Sequence, residues 1–151
     1  MQYIEALTTY TDHQDQKSVF LAGGISDCYD WQADMAQMLA ETQLIVLNPR
    51  RANFPIHDPS QSQLQIQWEY EHLRKASAIL FWFPSETLCP ITLYELGTWS
   101  NSEKPIFIGV HPNYQRRIDV EIQTRLIRPD VVIVYSLQHL ADQLKVYATR
   151  Q

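Results

Sequence analysis

Cysteine is scarce, with Cys28 and Cys89 the two present in 151 residues. Both fall in segments that pattern as loops, and in a reducing compartment they stay thiols, so a disulfide framework is excluded. Neither has a histidine near it in sequence, which argues against a cysteine nucleophile. The five histidines, His13, His57, His72, His111 and His139, are scattered without the spacing of metal ligands, and neither a metal nor another cofactor is expected. No apolar stretch is long enough to span a bilayer, so no membrane partner is expected. The first sixteen residues are polar and contain Glu5, Asp12 and Asp15, unlike a secretory leader, and a cytoplasmic location is the expectation.

Positive charge is also sparse. The formal net charge is −5 and lysines do not cluster, so the footprint of a nucleic-acid binder is missing and a small-molecule ligand is expected. Gly23-Gly24 is neither the three-glycine dinucleotide fingerprint nor a P-loop with its Lys-Ser/Thr pair. A dinucleotide dehydrogenase and an NTPase are therefore unsupported. No Ser/Thr-rich phosphate loop follows the first glycine-bounded strand, which disfavours a flavodoxin-type electron carrier.

What remains is an ordinary globular composition, 45% hydrophobic and 19% charged, of a length that suits one domain over residues 1–151. Apolar runs predict strands at Ser18–Ala22, Leu44–Leu47, Ala78–Phe83, Pro105–Val110 and Val131–Tyr135. Three- and four-residue apolar steps predict helices at Asp30–Glu41, Ser60–Lys75, Ile91–Ser100, Ile118–Arg128 and Leu137–Thr149. Met1 to Gln16 either adds a short strand around Tyr3 to Leu7 or stays loose. Strict alternation of strand and helix implies a three-layer α/β/α sandwich on a five-stranded parallel sheet, flavodoxin-like or Rossmann-like in order. The loops Gly23–Ser26, Asn48–Pro59 and Pro84–Pro90 then leave the carboxyl ends of the strands together and define a pocket.

Several residues around that pocket carry chemistry. Gly23 and Gly24 remove side chains where a ligand approaches the backbone, or make a simple tight turn; Ser26 or Asp27 caps the next helix. Trp31 either covers a sugar or base or belongs to the core. Asn48, Arg50, Arg51 and Phe54 put amide, guanidinium and aromatic groups in one proline-stiffened loop, suited to phosphate or carboxylate and to stacking. Glu95 follows the apolar strand Ala78–Phe83 in an early helical turn. Aligned amides there should keep it ionised and available as a nucleophile, unless it is a surface residue serving the helix dipole. Glu69 and Glu71 cannot both face inward from one helix. If one meets Glu95 at about 5 Å, the pair has the geometry of retaining glycosyl transfer, with one nucleophile and one acid/base.

In order along Ser18 to Gln123, five segments resemble the nucleoside 2-deoxyribosyltransferase superfamily, in its deoxyribosyltransferase-like branch. They are Phe20-Leu21-Ala22-Gly23-Gly24, Asn48-Pro49-Arg50-Arg51, Gln67-Trp68-Glu69, Pro90-Ile91-Thr92-Leu93-Tyr94-Glu95-Leu96-Gly97, and Lys104-Pro105 with Asp119-Val120. The resemblance implies a flavodoxin-like fold and a mechanism in which Glu95 attacks the anomeric carbon of a 2'-deoxynucleoside. The base leaves, and a second base or water takes the sugar. It makes Glu69 the group assisting the leaving base, where the family often has Asp, and puts Gly23 and Gly24 beside the sugar. Tyr94 belongs to the same block. Cys89 stands where transferases typically have an Asp, six residues before the nucleophile. Family members build sites between subunits, so a homo-oligomer is expected. Related nucleotide hydrolases take a 5'-phosphate, for which Arg50 and Arg51 are candidates.

Overall fold

A computed structural model describes residues 1–11, 15–55 and 58–149. His13 and His57 lie outside the described residues. The element order is β1 (Gln2–Glu5), β2 (Ser18–Gly23), α1 (Trp31–Met38), β3 (Ile45–Asn48), α2 (Pro59–Lys75), β4 (Ala78–Phe83), α3 (Pro90–Ser100), β5 (Ile106–Val110), α4 (Arg117–Ile127), β6 (Ile133–Val134) and α5 (Leu137–Thr149).

The sheet is parallel throughout, in the order β1-β3-β2-β4-β5-β6. It has six strands rather than the five expected, because the N-terminal segment pairs along β3, with Tyr3 opposite Val46. Without β1, the order is the flavodoxin-like one, and its topological switch point falls between β2 and β4.

Each inner strand is buried on both faces and divides its side chains by the two-residue period. Phe20 and Ala22 of β2, Ile79, Phe81 and Phe83 of β4, and Ile106 and Ile108 of β5 face a core closed by Trp68 and Leu73 of α2, Leu96 of α3 and Val120 of α4. Val19, Leu21, Leu80 and Trp82 face the other core, closed by Trp31 and Met35 of α1 and Leu140 and Leu144 of α5. Thus α2, α3 and α4 form one layer and α1 and α5 the other, as the three-layer expectation required.

Boundaries depart from the sequence reading where capping decides them. Helix α1 starts after Asp30, whose carboxylate accepts from the Ala33 amide at 3.1 Å, and neither Ser26 nor Asp27 caps it. It ends at Met38, short of Glu41. Helix α2 is capped by Asp58, with Pro59 at its first position. Its carboxyl end is closed by Lys104, whose ammonium donates to the carbonyls of Leu73, Arg74 and Ala76 at 2.6–2.8 Å.

Candidate active site

The loops after β2, β3 and β4 converge on a cavity of about 520 Å³ at the switch point, within the size range of small-ligand sites. Its walls include Phe20, Gly23, Gly24 and Ile25 from β2 and its loop, Arg51 and Phe54 from the loop after β3, Gln65 and Glu69 from α2, and Cys89, Thr92 and Glu95 from the start of α3.

Gly23 and Gly24 are needed for close approach rather than for a special backbone angle, since no glycine has positive φ. A Cβ at Gly23 would stand 2.4 Å from Trp31 Cζ2 and 2.6 Å from the Trp82 carbonyl oxygen; at Gly24 it would stand 2.9–3.0 Å from Pro84, Cys89 and Thr87 side chains. The Gly24 carbonyl accepts from Trp31 Nε1 at 2.8 Å and Gln32 Nε2 at 3.2 Å, which ties the loop to α1.

The backbone turns sharply into α3 at Cys89, which sits in the left-handed region at φ 49° with Pro90 next. That conformation is unfavourable for a residue with a Cβ. Tyr114 steadies the approach by donating its hydroxyl to the Leu88 carbonyl at 2.8 Å. The Cys89 thiol is buried and its pKa is pushed up to about 12, chiefly by burial and secondarily by the nearby Cys28 and Glu86, so it stays protonated and is no thiolate nucleophile.

Glu69 and Glu95 both line the cavity, one from each helix, and both are half-buried. Glu71 faces outward, taking a hydrogen bond from Gln67 at 3.2 Å and lying 3.9 Å from Lys75. Burial pushes the Glu95 pKa up to about 8, and the charge of Glu69 pushes it further in the same direction. This overturns the expectation that the helix amides keep Glu95 ionised. Glu95 is the sixth residue of α3, beyond the first turn where the dipole acts, and desolvation dominates there. Glu69 is also raised by burial, while its hydrogen bond from Gln65 at 2.8 Å pulls the other way. The charge of Glu69 therefore bears on Glu95, which retains a proton near neutrality.

Four other candidates do not line the cavity. Trp31 is fully buried in the α1 and α5 core, where its ring packs beneath Gly23. Asn48 is buried, donating to the Tyr3 hydroxyl and accepting from the Arg50 amide. Arg50 spends its guanidinium on the Ile25 and Cys28 carbonyls and lies 3.7 Å from Asp30, so it braces the loop after β2. Tyr94 is 77% exposed, because one helical step from an inward Glu95 points elsewhere. By contrast Arg51 does reach the cavity, its guanidinium 5.3 Å from the Phe54 ring centroid and 3.2 Å from Gln61 Oε1.

Gln65 was not singled out from sequence, although its place four residues before Glu69 puts both on one helix face. Asp27, Thr87 and Thr92, also in the walls, carried no such signal. Among the described residues no group of three His, Cys, Asp or Glu side chains gathers to hold a metal, and no helix is long and apolar enough to cross a membrane.

A family described as nucleoside 2-deoxyribosyltransferase like matches residues 16–114, about two-thirds of the chain. The chain belongs to this family. No curated protein sequence matches it. The family match takes in the glycine loop, Glu69 and Glu95, and ends before α4, so every wall of the cavity lies inside it. The last segment of the resemblance serves the scaffold: Lys104 closes α2, and Asp119 pairs with Arg116 at 3.1 Å at the start of α4. At a coarse level the family supports glycosyl transfer on a nucleoside.

Proposed function

We propose that this protein transfers a 2'-deoxyribosyl group between nucleobases through a covalent ester on Glu95. The supporting observation is that two half-buried carboxyls line one ligand-sized cavity at the switch point of the sheet, where the charge of Glu69 raises the pKa of Glu95. In the first step a Glu95 oxygen bonds to the anomeric carbon as the N-glycosidic bond breaks, and the departing base nitrogen takes a proton with Glu69 as the acid. In the second, an incoming base loses a proton to Glu69, bonds to the anomeric carbon and displaces Glu95. The pair must hold one proton in all. In the free protein that proton resides on Glu95, so it must leave that carboxyl before attack. Gly23 and Gly24 border the sugar, and Phe54 with Ile25 and Ile91 offers the base an apolar wall.

A second reading is hydrolysis of a nucleotide or of NAD at the same bond. Cys89 favours it: a buried neutral thiol is a weak partner for a sugar hydroxyl, where transferases typically place an Asp. Arg51 is available to a phosphate in that case.

Incubating the protein with deoxyinosine and free adenine, and separately with deoxynucleoside monophosphates and NAD, tests both. Transfer predicts deoxyadenosine that disappears in Glu95→Ala; hydrolysis predicts base release independent of acceptor. Binding that survives Glu95→Gln with no product from any donor would overturn both in favour of a nucleotide-binding module.

A further inference from the structure

Gln65 is buried at 9% exposure and stands one helical turn before Glu69 on α2. Its side-chain nitrogen is 2.7 Å from the Pro49 carbonyl oxygen and 2.8 Å from Glu69 Oε1. A peptide carbonyl only accepts, so the amide nitrogen must point at Pro49, and the nitrogen's second hydrogen is the one directed at Glu69. The amide carbonyl oxygen is left buried without a partner among the described residues. A buried acceptor left unmade carries a cost. Here the cost accompanies an orientation that presents a donor to one member of the carboxyl pair.

We propose that Gln65 is the positioning residue for Glu69. Its amide clamps the carboxylate to the loop after β3, fixing both its direction and its place as the charged member of the pair. This rests on the paired-carboxylate reading above and deepens it. A hydrogen bond donated to a carboxylate stabilises the ionised form more than the neutral acid, whose carbonyl oxygen is the weaker acceptor. The other titratable or charged groups facing Glu69 across the cavity are Glu95 from α3, Asp27 from the loop after β2, Arg51 from the loop after β3 and the neutral Cys89 thiol. Of these neighbours and Gln65, the Gln65 hydrogen bond is the interaction that lowers the Glu69 pKa against burial.

The test is carboxyl-carbon NMR of protein labelled on glutamate, titrated from pH 4 to 10, with Glu69→Gln and Glu95→Gln assigning the two resonances. In the wild type, Glu69 should titrate below Glu95. In Gln65→Met, which keeps length and loses the donor, the Glu69 midpoint should rise by about one pH unit and the Glu95 midpoint should fall. A role confined to packing would lower the melting temperature and leave both midpoints in place, which overturns the proposal. So does a wild-type protein in which Glu95 titrates first, a result that needs no folded Gln65 variant. None of these readouts requires turnover, so the proposal is judged separately from the transferase reading. Where nucleoside is turned over, Gln65→Met should reduce kcat between about 10- and 100-fold with KM nearly unchanged and move the pH profile.

Discussion

At the residue scale, the controlling fact is that Glu95 lies in the second turn of its helix and half inside the protein, so burial outweighs the helix amides. With its folded pKa near 8, above the ordinary 4.5, the group binds a proton more tightly when folded. Its contribution to stability is complete below about pH 4.5 and is lost as pH rises through 8, at no more than about 1.4 kcal/mol per pH unit. Thermal melts across that window should show wild type losing stability relative to Glu95→Gln, with the variant the more stable above pH 8. The pair must keep one proton for the departing base, so kcat/KM should fall as pH rises through about 8. In Glu69→Gln only Glu95 remains, so residual activity should instead rise with pH to a midpoint below 8 yet above 4.5, because burial outlasts the removed charge; pH–rate profiles check it.

The two adjacent arginines separate at the same scale. Arg50→Ala strips the Ile25 and Cys28 carbonyls of a donor and should destabilise the fold by about 2 kcal/mol in urea unfolding. Arg51→Ala, on the cavity wall, should leave stability nearly unchanged and raise KM.

At the element scale, the glycines behave differently according to what stands over them. Gly23→Ala forces a methyl against the Trp82 carbonyl and the Trp31 ring and should cost about 3 kcal/mol or more. Gly97 sits inside α3 with nothing within 4 Å of a Cβ. Gly97→Ala should raise stability by about 0.5–1 kcal/mol, and thermal melts of the two variants give opposite signs. Strand and helix order was legible because the apolar runs of β2 and β4 cannot be helices of that length, and the longer helices carry their period openly. The ends were less legible. Asp27 sits in the left-handed region at φ 58°, and the Asp30 carboxylate is the one that accepts from the Ala33 amide and caps the helix.

At the scale of the whole molecule, α2, α3 and α4 share one face of the sheet, and this brings Glu69 and Glu95 to the same cavity although 26 residues separate them. The N-terminal strand completes the opposite edge, where β1 pairs with β3 and Tyr3 meets Asn48. Deleting residues 1–5 should leave the β3 edge open, lower the melting temperature and promote association; scattering during thermal unfolding would register both.

The amino-acid sequence determined the alternation of strands and helices, the two-faced burial of the inner strands, and the glutamates and glycines that resemble the family. These depend on local periodicity and on residue type, which are properties of the chain itself. Tertiary structure decided which of those residues share a cavity, the retreat of Trp31, Asn48 and Arg50 into the scaffold, and the partnership of Gln65 with Glu69. It also decided that Glu95 holds a proton, since desolvation depends on what packs around a carboxyl, and nothing in Tyr94-Glu95-Leu96 specifies that.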